Sequence, residues 1–170
     1  MYDSILYPTD GSTGSDAAAE HVRLLASKFD ATVHVLHVVD TRQAGMGMSG
    51  AFLADDGSGL SGKTDEGGGF GMVGERPDFE EVNDALTERG NSMVTESAAA
   101  FGDIDTVTAV EPGNPHSVIL DYADANDIDL IVMGTHGRTG VERYLLGSVT
   151  EKVVRLADAP VVTVRAGPDE

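Results

Sequence analysis

Two glycine-punctuated stretches of this chain have the composition that phosphate chemistry requires. Residues 57–64 read GSGLSGKT: Gly57, four residues, then Gly62, Lys63 and Thr64. Residues 134–148 read GTHGRTGVERYLLGS, with Gly134, Gly137 and, after nine more residues, Gly147 and Ser148. The first has the letters of a P-loop, in which backbone N–H groups wrap a phosphate between a buried strand and a helix. Its context is wrong. AFLADD before it is too short and acidic for a central strand, and the glycines of DEGGGFGMVG after it would break a helix. The P-loop reading is therefore rejected. Lys63 keeps at most a lesser role, approaching a bound phosphate if its segment folds over the site.

The second stretch has the context that the first lacks. DLIVMG (129–134) is nearly all apolar, as expected of a buried parallel strand. Gly134 and Gly137 allow a tight backbone path, and Gly147 and Ser148 open a helix whose free N–H groups attract an anion. Hydroxyls at Ser148 and Thr150 can add hydrogen bonds. Arg138 and Arg143 bring positive charge to a chain with 29 acids and 11 bases, a formal net charge of −18.

The elements that must position this loop are readable from periodicity. SILYP (4–8), ATVHVLHVV (31–39), TVTAV (106–110), DLIVMG (129–134) and VVTVR (161–165) read as strands. Between them, helices are expected from Ser15 to Phe29 with Ser12 or Ser15 as cap, over 78–101, from Pro115, and from about Ser148 to Asp158. Strands alternating with helices define an α/β fold, a mostly parallel sheet with helices on both faces. Ligands bind such sheets beyond the carboxyl ends of the strands, where the strand order reverses. That directs attention to Asp10, to Val38 through Asp40, to Gly113, and to Gly134 onward. Residues 43–77 do not fit the alternation and form a glycine-rich insertion in a single domain spanning 1–170.

Composition narrows the function classes. No run of eighteen apolar residues crosses a membrane, and MYDSILYPTD is no signal peptide. The strongly acidic charge argues against nucleic acid and anionic membrane as partners. Acids spread along the whole chain suit a surface kept solvated in strong salt, where the Debye length shrinks to about 3 Å at 1 M. Without cysteine, disulfides and thiolate metal sites are excluded. A salt-adapted, cytoplasmic protein is the expectation.

The spacing Gly134-x2-Gly137-x9-Gly147-Ser148 resembles the nucleotide-binding signature of the universal stress protein family. ILYPTDGS, HVLHVVD, GNPHSVILDYA, DLIVMGTHGRTG and APVVTVR are similar to the family's flanking words, in order. The resemblance covers roughly residues 1–42 and 78–166 and omits the insertion. It implies an open five-stranded sheet in the order 3-2-1-4-5. Members with the intact signature typically bind ATP, so ATP is the implied ligand, with Mg2+ a plausible companion. Carried over by position, Pro8, Thr9 and Asp10 face the adenosine, and the Val38 backbone meets the adenine. Met133 and Gly134 line the ribose side. Gly137, Gly147, Ser148, Val149 and Thr150 hold phosphates, aided by His136 and Arg138. The family commonly dimerises through its last strand, here 161–165, which implies a homodimer serving a stress response.

Simpler roles compete at several positions. Asp10 is also suited to capping the first helix or bending its turn. His34 and His37 lie three apart on a strand, face opposite sides, and read as packing or surface residues. No metal cluster or hydrolase elbow is evident. Two rival functions remain: a slow ATP hydrolase with Asp10 or His136 orienting water, and a nucleotide-free structural dimer that binds another protein.

Overall fold

In a computed structural model, residues 1–42, 79–136 and 146–167 of the chain are described. Strand β1 (Ser4–Pro8) leads through helix α1 (Thr13–Phe29) to β2 (Thr32–Asp40). Helix α2 (Phe79–Ala99), β3 (Thr106–Gly113), α3 (Pro115–Ala125), β4 (Leu130–Gly134), α4 (Ser148–Leu156) and β5 (Val161–Val164) follow. All strand pairs are parallel, in the order β3-β2-β1-β4-β5. The insertion 43–77, with its GSGLSGKT stretch, lies outside the described residues.

Alternation along each strand sorts the core into two layers. On one face Ile5, Tyr7, Val33, Val35, Leu130 and Val132 pack with Ala18, Val22 and Ala26 of α1 and Val94 of α2. On the other, Leu6, Leu36, Ile131 and Met133 pack with Ile119 and Ala123 of α3 and Val153 of α4. Burial on both faces is why the central strands read as nearly continuous apolar runs. Tyr7 anchors the first layer: its hydroxyl donates to the Ser15 carbonyl at 2.8 Å, and its ring meets Phe101 edge-on at 5.7 Å. Burial pushes its phenol above the ordinary value.

Several boundaries shift by one to three residues from the sequence reading, and two of the shifts have a clear physical cause. Helix α1 begins at Thr13 rather than Ser15, because Ser12 is its N-cap and accepts from the Ser15 N–H. Strand β3 runs on to Gly113, through Pro112, instead of ending at Val110. The ladder explains this tolerance. The Val33 N–H donates to the Asp105 carbonyl, so odd-numbered residues of β3 turn their backbone groups toward β2. Pro112 therefore presents its nitrogen to the open edge, where no N–H is missed.

His34 and Tyr122 form a polar pair where β2 meets α3. The His34 Nδ1 is 3.1 Å from the Tyr122 hydroxyl, with the two rings edge to face at 5.8 Å. Burial holds His34 below its ordinary value of 6.5. The folded chain then binds fewer protons than the unfolded chain just below that pH, so stability rises with pH there. We predict that stability present above pH 6.5 is lost as pH falls through that value toward the lower folded pKa. His34→Phe, which keeps a ring, should flatten this slope in Tm measured at constant salt. An unchanged slope would remove His34 as its source.

Candidate functional site

Backbone pairing opens a crevice at the carboxyl end of β1. Register between β1 and β4 holds at Ile5↔Leu130 and Leu6↔Ile131. Pro8, the last residue of β1, has no N–H with which to extend that ladder. On the β2 side the Thr9 N–H makes a last rung to the Leu36 carbonyl at 2.8 Å. Backbone groups of successive strand residues face opposite neighbours. The Thr32 N–H reaches Asp3 on the β1 side and the Val33 N–H reaches Asp105 on the β3 side. Val38, like Thr32 and Leu36, thus turns its N–H and C=O toward β1, which has already ended. The Thr9 carbonyl would receive the Val38 N–H if the ladder continued, but no such bond forms. It receives His37 Nδ1 instead, at 2.8 Å. Val38 is left offering a donor and an acceptor side by side in the crevice.

A tight turn carries the chain from there into α1. Asp10 Oδ1 accepts the Ser12 N–H at 3.0 Å, and Gly11 takes a φ of +70°, where a side chain would be strained. Below the turn Thr9 and Ser15 are buried, their hydroxyl oxygens 3.3 Å apart. Ser15 Oγ donates to the Ser12 carbonyl at 2.8 Å. This network fixes the start of α1 against the end of β1.

On the other wall, the end of β4 touches the first turn of α1 backbone to backbone. A Cβ on Gly14 would stand 2.2 Å from the His136 carbonyl oxygen, and one on Gly134 would stand 2.6 Å from Gly14 backbone atoms. Neither position admits a side chain. The Gly147 N–H then donates to the Thr135 carbonyl at 2.7 Å, and Thr150 Oγ1 donates to the Gly134 carbonyl at 2.9 Å. These two bonds seat the amino end of α4 beside β4. Gly147 is the N-cap of α4 and supplies no side-chain cap, so the first-turn N–H groups keep their affinity for an anion. His136 Nδ1 lies 3.0 Å from Thr135 Oγ1, while its Nε2 is buried with no hydrogen-bond partner. A buried nitrogen of this kind suits a ligand that supplies the missing partner.

The sheet thus gathers Pro8, Thr9, Asp10 and Val38 on one side of the strand-order reversal and Met133, Gly134, His136, Gly147, Ser148, Val149 and Thr150 on the other. Gly137 and Arg138, with Arg143, lie outside the described residues. Two details refine the sequence reading. The Thr150 hydroxyl is a donor already engaged by Gly134, which leaves its N–H for any anion. Asp10 does bend its turn, through Ser12. Sequence reasoning missed Gly14, whose need to be glycine comes from a residue 122 positions away, and Thr135, whose role is a backbone carbonyl. It also read His37 as a packing or surface residue, with no role at the turn. Pointers to the α1 turn were present in ILYPTDGS, in the readings of Asp10 as bending the turn and Ser12 as a cap. Among the described residues no group of three His, Asp or Glu is placed to hold a metal, and no helix is long and apolar enough to cross a membrane.

A parallel sheet with a reversal between β1 and β4, and a glycine-lined approach to an uncapped helix, define the doubly wound α/β class of ligand-binding domains. Within that class, the chain belongs to the universal stress protein family, whose model matches residues 1–165. It is 34% identical over 168 residues to universal stress protein MJ0531 of Methanocaldococcus jannaschii, covering 97% of this chain and 83% of that one. Universal stress protein MJ0577 of the same organism is 31% identical over 168 residues, covering 97% and 96%. The solved structure of MJ0577 matches with a TM-score of 0.75 at 27% identity over 99% of both chains.

The backbone contact at Gly14 yields a direct test. Alanine usually favours a helix over glycine, yet Gly14→Ala should destabilise the chain by about 1–3 kcal/mol, because the added methyl overpacks the β4 end. Urea unfolding at fixed salt measures it. A neutral or stabilised variant would contradict the close approach.

Proposed function

We propose that this chain is a cytoplasmic ATP-binding protein whose nucleotide lies across the β1–β4 crevice, and that it acts as a homodimer in a stress response. The observation that carries the reading is the pair of chemically different walls. Adenine presents an acceptor at N1 and a donor at its 6-amino group, complementary to the Val38 N–H and C=O. Phosphates suit the uncapped amino end of α4, through the N–H groups of Ser148, Val149 and Thr150. Pro8, Thr9 and Asp10 flank the adenosine, Met133 and Gly134 the ribose. His136, Gly137, Arg138 and Gly147 complete the phosphate side, as the family resemblance implies. A divalent ion, Mg2+, would be held chiefly by phosphate oxygens and water.

The two sheet edges differ in a way that supports dimerisation through β5. Thr135 and Ile131 bond to the Val164 and Pro160 carbonyls, so the odd residues Val161 and Thr163 turn their N–H and C=O groups to the open edge. The β3 edge has such groups at Thr106, Thr108 and Val110 as well, but Pro112 interrupts it and donates nothing there. An edge with free donors and acceptors invites a second strand, and proline discourages one.

The nucleotide reading is tested on protein purified in high salt. The chain has no tryptophan and four tyrosines, so bound adenine would dominate absorbance at 260 nm over 280 nm. Chromatography of the acid-released molecule should show an adenine nucleotide. In titrations on emptied protein, ATP should bind about tenfold or more tightly than adenosine, the difference being the phosphates at α4. Equal affinities would contradict the role given to α4, and no binding of either would sink the nucleotide reading.

A further inference from the structure

His37 occupies a position that packing alone does not require. It lies on the face of β2 covered by α2, where its Nδ1 is 2.8 Å from the Thr9 carbonyl oxygen. A carbonyl oxygen can only accept, so Nδ1 carries the proton and donates. Room for the ring comes from α2: a Cβ at Gly90 would stand 2.9 Å from His37 Cδ2 and 2.9 Å from Val110 Cγ1. Glycine inside a helix costs about 1 kcal/mol relative to alanine. The helix bears that cost where the imidazole lies. One turn along, Met93 packs on Gly11, its Cε 3.2 Å from where a Cβ would be. Helix α2 thus bears on Gly11 directly and on Thr9 through His37.

We propose that His37 is a positioning residue for the crevice: by donating to the Thr9 carbonyl, it draws that carbonyl off the β1–β2 ladder and keeps the Val38 N–H available to a ligand. This rests on the nucleotide reading for the identity of the ligand, though not for the hydrogen bond itself. Without the imidazole, the Thr9 carbonyl would lose a buried-side partner and gain from turning to the nearest free donor. By strand alternation that donor is the Val38 N–H. The crevice would then be closed by one further rung of sheet. Asparagine carries an amide nitrogen on Cγ, as histidine carries Nδ1, and so preserves the donor. Leucine fills similar volume without one.

The test compares wild type, His37→Asn and His37→Leu by amide hydrogen exchange without nucleotide and by ATP titration, both in high salt. In wild type and His37→Asn the Val38 amide should exchange readily. In His37→Leu it should become protected, while loss of packing alone would only speed exchange. ATP affinity should fall about tenfold in His37→Leu and stay within about threefold of wild type in His37→Asn. A Val38 amide that exchanges equally in all three, or an ATP affinity unmoved by leucine, would overturn the proposal. If wild type binds no ATP, the nucleotide reading fails. The exchange pattern still decides whether His37 holds the Thr9 carbonyl.

Discussion

The architecture of the carboxyl edge depends on where β1 stops sharing hydrogen bonds with its neighbours. A sheet with both faces covered has no reason to open at its centre, since each unpaired N–H or C=O there is costly. Here the opening is specified by two residues. Pro8 has nothing to donate toward β4, and Thr9 makes one last bond to Leu36 before its carbonyl turns to His37. The result is a central gap with Val38 facing into it. Because strand order reverses between β1 and β4, the helices diverge from the same point, and among the described residues none covers that gap.

The other wall is held by a different constraint, the absence of side chains. Gly14 and Gly134 bring the first turn of α1 and the end of β4 into contact closer than any Cβ permits. Thr150 and Gly147 then tie α4 to the same strand end. Gly14, Gly147 and Thr150 each meet a backbone carbonyl of residues 134–136. The first turn of α1 and the amino end of α4 are thereby registered on one short stretch, which is what a ligand spanning the crevice requires.

Much of this was legible in the sequence. Runs such as DLIVMG and HVLHVV announce buried parallel strands, Ser12 and Pro115 mark helix starts, and the strand–helix alternation leads to the sheet. The spacing of Gly134 and Gly147 pointed to its carboxyl edge, where both residues lie. The end of β3 was less readable, since proline and glycine normally signal a turn. Only the ladder's alternation reveals that Pro112 faces outward. Gly14 and His37 were opaque for a related reason: both act on backbone atoms of another element, His37 on Thr9 and Gly14 on His136. No local periodicity encodes such contacts.

The central claim is that a ladder interrupted at Thr9 leaves Val38 to read the edge of an adenine ring. Comparing ATP with inosine triphosphate tests it most directly, because replacing the 6-amino group by a 6-oxo group reverses donor and acceptor on that edge while keeping size and phosphates. Equilibrium titration in the same high salt should show ATP binding at least about tenfold more tightly, since the wrong base would set donor against donor in a desolvated site. Equal affinity for the two nucleotides would contradict the account.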